Sequence, residues 1–384
     1  MFKSKIQQIF DFGWADYCNS FSPSSVQARA ALSIMDCKSG KLGCNIQICQ
    51  DCGHTETHHN SCRNRNCPNC QAILKELWID QRKSEVIDAP YFHVVFTVPA
   101  ELNALIYANQ ELLYSLLHRC SSETLLELTS NPKYLGATPG IIQVLHTWGQ
   151  ELNFHPHIHC IVSGGGLSSD LKLKTIRKNF LIPAEVLAKK FCGKFLSSID
   201  KLYLADQLRF SPSCDSLKNS YTWNELKDAL YKKIWCPDIR ETFNGFGNAI
   251  EYLGRYTHRI AITNTRIQKV TPESVTFTAK DYKNNSAIKE VTLSNKEFIR
   301  RFMMHVLPSG FQKIRYYGFL NNRSKKKNLT LIFRIQGHQR FKARFTDLSI
   351  DEVLKQVWNY HIHVCKACGR SNMRHAGRTY ALRC

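Results

Sequence analysis

Apolar positions recur along this chain at two periods, and the alternation between them predicts its elements. Val26 to Met35 is an amphipathic helical run, opened by Ser22-Pro23 and stopping before Gly40. Ile73, Leu74, Leu77, Trp78 and Gln81 follow a second helical period, with Pro90 beyond its end. Tyr91 to Val98 is short, β-branched and aromatic, which predicts a strand. A helical stretch runs from Glu101 to about Leu128. Ile141 to Trp148 and His157 to Ser163 then read as two strands joined by a polar turn around Asn153, with Gly164-Gly165-Gly166 ending the second. Residues 167–245 mix basic helix with no clear pattern. A helix is expected from about Asn248 to Tyr256, and a hairpin from Val275–Thr278 and Ala287–Leu293 around Asn284-Asn285. A helix from Lys296 to Val306 follows, and Arg323 to Lys327 reads as an exposed basic loop.

Charge sharpens this picture by its placement. Residues 1–254 hold 26 Lys and Arg against 24 Asp and Glu, whereas residues 255–384 hold 26 against 7. The last third is a polycation suited to a phosphate backbone. No apolar run approaches the roughly 18 residues of a membrane span. Met1 to Tyr17 carries Asp11 and Asp16 and no signal-type cleavage site, so a cytoplasmic protein is expected. The length of 384 residues suggests two or three domains.

Cysteine and histidine spacing supplies the chemistry. Six of the 16 cysteines fall between Cys44 and Cys70. The pairs Cys49/Cys52 and Cys67/Cys70 have the spacing of a four-cysteine zinc knuckle, with Cys62 as an alternative ligand and His54, His58 and His59 as spare donors. Such a closed shell is structural rather than catalytic. Arg63 and Arg65 between the pairs are candidate DNA contacts. Cys365 and Cys368, with His361, His363 and Cys384 nearby, are candidates for a second zinc. His157 and His159 flank Ile158, and on a strand both would face one metal ion. A third ligand is needed: His146 leads, with Gln150, Glu151 and Glu251 behind it, and His93 is expected to be structural. Tyr252 and Tyr256, one helical turn apart, are candidate nucleophiles.

These strings also resemble a known family, the HUH nucleases, and within it the two-tyrosine rolling-circle transposases of bacterial insertion sequences. The resemblance rests on Ser61-Cys-Arg-Asn-Arg-Asn-Cys-Pro-Asn-Cys70, Phe92-His-Val-Val-Phe-Thr-Val-Pro99, Leu145-His-Thr-Trp-Gly149, His155-Pro-His-Ile-His-Cys160, Tyr252-Leu-Gly-Arg-Tyr-Thr-His-Arg-Ile-Ala261 and Arg300-Arg-Phe-Met-Met-His-Val-Leu-Pro308. Asn66 departs from it, standing where the family is expected to carry histidine. The resemblance implies an α+β fold: a central antiparallel sheet flanked by helices, an N-terminal helical zinc-binding domain and a basic C-terminal α+β region. The expected boundaries are 1–90, 91–265 and 266–384. It implies Mg²⁺ or Mn²⁺ at the histidines, structural Zn²⁺, and cleavage and rejoining of single-stranded DNA at insertion-sequence ends through 5′-phosphotyrosine. Arg255, Arg259, Lys325, Lys326 and Lys327 join the candidate DNA contacts. No GxxxxGK[ST] string occurs, so unwinding would fall to a host helicase. A replication initiator or relaxase would share the chemistry, and a non-catalytic zinc-dependent DNA-binding protein would share the zinc and the charge. Oligomeric state is left open.

Overall fold

A six-stranded antiparallel sheet carries the centre of the fold. The computed structural model describes residues 3–176, 182–235, 238–241, 254, 261–281, 284–337 and 342–380. The sheet's strands are β3 (Tyr91–Thr97), β4 (Thr138–Trp148), β5 (Phe154–Leu167), β6 (Leu173–Thr175), β7 (Asp238–Glu241) and β11 (Ile314–Gly318). Their order is β11-β4-β5-β3-β7, with β6 beside the far end of β5. Alternation along the two longest strands makes the sheet two-sided. Leu145, Ile158, Cys160 and Val162 face the largest core, which they share with α4 (Asn103–Ala108), α5 (Gln110–Ser130), α6 (Ala184–Leu204) and α7 (Ser220–Lys232). Ile142, Val144 and Ile161 face the other way. They pack with Ile79 of α3 (Ala72–Lys83) and with Leu329, Ile332 and Phe333 of a helix at Lys325–Ile335.

The triple glycine does not end its strand as expected, because β5 runs on through Leu167. Small residues are needed there for a packing reason. A Cβ on Gly164 would fall 2.9 Å from the Phe92 ring, and one on Gly166 would fall 2.3 Å from the Thr138 carbonyl oxygen.

Helices α1 (Lys5–Ser20) and α2 (Ser25–Asp36) form a second unit. Ser24 caps α2 in a reciprocal box with Gln27. Their apolar faces pack against a three-stranded sheet of β8 (Ile267–Val270), β9 (Ser274–Asp281) and β10 (Ala287–Ser294), and against the helix Asn295–Met303. The expected hairpin is the β9–β10 pair, with Val275 opposite Leu293. A third sheet joins β1 (Gly43–Cys49) and β2 (Thr55–His59) to β12 (Met373–Tyr380), next to the C-terminus. The C-terminal third is therefore spread over all three sheets. No described helix is long and apolar enough to cross a membrane.

Candidate active site

The central strand β5 carries the histidines, held between β4 and β3. In its register His157 lies opposite His146 of β4 and Thr97 of β3. His159 lies opposite Val144 and Val95. His146, His157 and His159 share the sheet face of Val144 and Ile161, and one ring nitrogen of each lies within 4.8 Å of the others. Ile158 is buried on the opposite face.

Each ring is oriented from behind. The His157 Nδ1–H donates to its neighbour, the His155 carbonyl, at 2.7 Å, which turns a bare Nε2 toward the site. That Nε2 is 3.1 Å from Nε2 of His159. Adjacent positions of an octahedral ion with ligands at about 2.1 Å are about 3.0 Å apart, so the pair fits one cation. His159 is held through its Nδ1 by Nε2 of His93 at 2.8 Å. His93, expected to be structural, is thus an orienting partner of the cluster. Its position two residues before Val95 on the neighbouring strand was the available signal. His146 stacks on Trp148 with centroids 4.6 Å apart. Burial depresses the His157 pKa to about 4 and that of His159 well below the usual value, so both rings are neutral, as metal ligands must be.

The turn joining β4 to β5 is clamped by the C-terminal third. Arg266 donates to the Gln150 carbonyl (2.5 Å), Arg301 to that of Glu151 (2.9 Å), and His305 meets that of Leu152 (3.0 Å). Leu152 itself is buried at φ +63°, a conformation costly for leucine, and the clamp holds it there. Two of these residues, Arg301 and His305, belong to the Arg300–Pro308 string. The Glu151 carboxylate pairs with Lys289 at 2.6 Å. Lys313 lies 4.9 Å over the Trp148 ring, and burial lowers its pKa to about 7. Sequence pattern alone offered no reason to single out Lys313.

Tyr252, Arg255, Tyr256 and Arg259 lie outside the described residues, as do Glu251 and nearly all of the expected helix Asn248–Tyr256. Gly254 between the tyrosines is described: it is helical and buried, and a Cβ on it would fall 2.3 Å from Cγ1 of Ile79. Ile79 belongs to the core on the histidine face of the sheet.

The cysteines group differently from the expected knuckle. Cys67 and Cys70 meet Cys37 and Cys62, whereas Cys49 and Cys52 meet Cys365 and Cys368. The single shell Cys49/Cys52/Cys67/Cys70 is therefore corrected to two clusters. The reason is topological: β1 ends at Cys49 and leads into β2, away from the loop 61–70, while α2 delivers Cys37 to that loop. Cys62 is a member of the first cluster rather than a substitute in it. Its Sγ is 3.7 Å from Sγ of Cys70, close to the edge of about 3.8 Å in a tetrahedron with Zn–S of about 2.3 Å. Hydrogen bonds from Cys62, Cys67 and Cys70 hold the Cys37 thiol pKa far below its usual value, favouring thiolate. Asn66 is buried beside this shell but does not belong to it; its N–H donates to the Asn64 side chain at 2.9 Å.

Two DNA candidates are already engaged. Arg65 donates to the carbonyls of Phe311, Leu307 and Pro308 at 2.6, 3.2 and 2.5 Å. Lys325 opens a helix rather than sitting in a loop, and it joins Arg82 on the buried Glu85 carboxylate at 2.7 and 2.8 Å. Arg63, Lys326 and Lys327 are exposed.

A helical unit with a cysteine cluster, beside a sheet carrying three inward histidines and a basic C-terminal third, fits the class that the sequence resemblance implies, a zinc-binding transposase. Comparison with known proteins agrees. Residues 9–98 match a family described as "Transposase zinc-binding domain" of the IS91 type, and residues 140–328 match one described as "Putative transposase". The chain belongs to the IS91-type family of HUH transposases. It is 40% identical over 319 residues to a Sinorhizobium fredii protein named "Putative transposase y4qJ", covering 83% of this chain and 80% of that one. It is 28% identical over 313 residues to the Pseudomonas savastanoi pv. phaseolicola transposase for insertion sequence element IS801, covering 81% and 74%. No solved structure matches the chain.

Proposed function

We propose that this transposase cuts and rejoins single-stranded DNA at the ends of its insertion sequence through 5′-phosphotyrosine intermediates, by a rolling-circle route. The observation that carries the reading is the convergence of His146, His157 and His159 on one point, with a bare Nε2 on His157 facing it. The contact of Gly254 with Ile79 supports it, because Ile79 packs on the same sheet face and Gly254 lies midway between Tyr252 and Tyr256.

Three converging imidazoles fit a divalent cation, and of the two expected ions a nitrogen-rich set favours Mn²⁺ over Mg²⁺. A cation held by His146, His157 and His159 would supply positive charge to the scissile phosphate. Tyr252 or Tyr256 attacks phosphorus in line, the bond to the 3′ oxygen breaks, and the departing oxygen takes up a proton as a free 3′-hydroxyl. The phenol, with an ordinary pKa of about 10, must lose its own proton, which neighbouring cations such as Arg255 and Arg259 favour. Rejoining reverses the step, with a 3′-hydroxyl displacing tyrosine. Two tyrosines one turn apart let one hold a strand end while the other attacks the next junction. Exposed Arg63, Lys326 and Lys327 would hold the phosphate backbone.

The test is incubation with single-stranded oligonucleotides from the element's own ends, followed by denaturing electrophoresis. A covalent adduct is expected from the wild type. Tyr252→Phe with Tyr256→Phe should bind the DNA and form none. An adduct in that double variant would move the nucleophile elsewhere, and a wild type that binds without any adduct would make the protein a non-catalytic DNA-binding module.

A further inference from the structure

We propose that Cys49, Cys52, Cys365 and Cys368 hold a second zinc ion, which closes the two ends of this chain into one zinc ribbon. The two halves of the site are copies of one turn. Each reads Cys-x-x-Cys-Gly: Cys49-Gln-Asp-Cys52-Gly53 and Cys365-Lys-Ala-Cys368-Gly369. Gly53 and Gly369 both adopt positive φ, +71° and +73°, as the turn requires. Each glycine N–H donates to the carbonyl of the first cysteine, at 2.9 and 2.8 Å. The first cysteine N–H in turn donates to the carbonyl that follows the glycine, His54 or Arg370, at 2.8 Å in both. Two such turns facing each other, backed by a three-stranded sheet of β12, β1 and β2, make a ribbon.

The sulfur geometry selects metal over the alternatives. Sγ of Cys49 is 3.7 Å from that of Cys368, and Sγ of Cys52 is 3.7 Å from that of Cys365. A disulfide requires about 2.05 Å. A tetrahedral zinc shell requires about 3.8 Å between sulfurs, from Zn–S of about 2.3 Å. All four sulfurs lie within 4.8 Å of one another, and the contacts cross from one turn to the other.

The C-terminal half has little else to hold it. Among residues 361–380 only Cys365 and Met373 are buried, and together with Cys49 they make a core of three. β12 pairs with β1, Cys49 opposite Met373, so that strand pairing must close a loop of more than 300 residues on almost no apolar burial. A metal shell with two ligands from each end supplies the missing free energy. The ion pairs across the junction, Lys366 to Glu56 at 2.7 Å and Arg370 to Asp51 at 3.8 Å, are surface pairs of small worth. His361 and His363 stand outside the shell: His361 meets the Asn359 side chain and His363 the Asp351 carboxylate.

The test uses the full chain, purified under reducing conditions and dialysed against EDTA to clear the histidine site. Zinc then released by a mercurial thiol reagent is read with a metallochromic dye. About two zinc ions per chain are expected from the wild type and about one from Cys365→Ser with Cys368→Ser. The same variant should lose residues beyond 359 to limited proteolysis that spares them in the wild type. An unchanged zinc content in the variant would overturn the proposal. So would release of about one ion by the wild type, a measurement that does not depend on any variant folding. A Cys52–Cys365 or Cys49–Cys368 disulfide in wild-type protein alkylated before digestion would also overturn it.

Discussion

The histidine centre and the Cys37 cluster bind by opposite logic. In the cysteine cluster four thiols from a helix end and one loop surround a point completely, and no position is left for a substrate. In the histidine centre three rings approach from one face of a sheet, so a cation held there keeps positions for phosphate oxygen. The cysteine cluster stands on the end of α2 and one loop, and its sulfurs pack into the apolar core of the α1–α2 unit. The histidine centre stands on the adjacent inner strands β4 and β5 of the six-stranded sheet, each paired on both sides. A closed shell should therefore cost the fold when broken, and an open one should cost the reaction.

The largest expected effect is on the closed side. Cys67 is fully buried, and Cys67→Ser should release zinc and destabilise the α1–α2 unit by more than about 4 kcal/mol, the range of a lost structural metal. Zinc content and thermal unfolding measure it. Unaltered stability would mean that the cluster does not hold the fold. On the open side, His157→Ala should lower cleavage on the order of 10²–10³-fold through lost charge stabilisation of the phosphate. Its melting temperature and DNA affinity should stay close to wild type. A variant that unfolds instead would make His157 a structural histidine and erase the contrast.

His93 grades the comparison more finely. It touches His159 and is not among the three converging rings. His93→Phe should weaken metal affinity about 10–100-fold, as loss of an orienting partner does. The readout is the metal concentration that half-restores cleavage, and excess metal should rescue the rate. A loss that excess metal fails to rescue would place His93 in direct contact with the reaction.

A buried histidine away from the candidate metal sites, His118, supplies a background against which they can be judged. Burial lowers the His118 pKa to about 3, with Arg315 adding to the effect and the Gln143 amide opposing it. The unfolded chain, with a histidine pKa of about 6.5, binds a proton between these values that the folded chain refuses. The contribution of His118 is therefore complete above about pH 6.5 and is lost progressively as pH falls toward 3, on the order of 1–3 kcal/mol by pH 4. Metal-free protein should show this slope in its unfolding midpoint, and His118→Met should flatten it.

How much of this was legible in sequence depended on the range of each signal. Alternation in residues 141–148 and 157–163 located β4 and β5, and i, i+2 spacing put His157 and His159 on one face, because a strand fixes side-chain direction locally. The cysteine spacing carried zinc chemistry but not the partition. Two CxxC pairs 14 residues apart look like one shell, and only the pairing of β1 with β12 separates them. The triple glycine looked like an exit because crowding by Phe92 and Thr138 is a tertiary fact. The polycation was legible as a total and misleading in detail. Arg266 and Arg301 clamp the Gln150–Leu152 turn, Arg65 is bound to three carbonyls, and Lys325 neutralises Glu85.

That last distinction gives the smallest effect and separates two kinds of cation in one short run. Lys325 and its neighbours Lys326 and Lys327 are chemically identical in sequence. Lys325 shares the Glu85 carboxylate with Arg82, and Glu85 is only 8% exposed. Lys326 and Lys327 face solvent on the first turn of the helix. Removing Lys325 leaves a buried carboxylate with one partner fewer, so Lys325→Met should lower stability by about 1–3 kcal/mol. It should leave the salt dependence of DNA binding unchanged. Lys326→Ala with Lys327→Ala should do the reverse. Stability should stay within about 0.5 kcal/mol, as for ordinary surface changes. The slope of log affinity against log salt should flatten by about 1.4, two phosphates at about 0.7 each on single-stranded DNA. Affinity should fall equally for all sequences, since phosphate contacts carry none of the sequence information. If the pair Lys326/Lys327 changes stability and not slope, the cations of this helix serve the fold alone, and the DNA path must run over other basic residues of the C-terminal third.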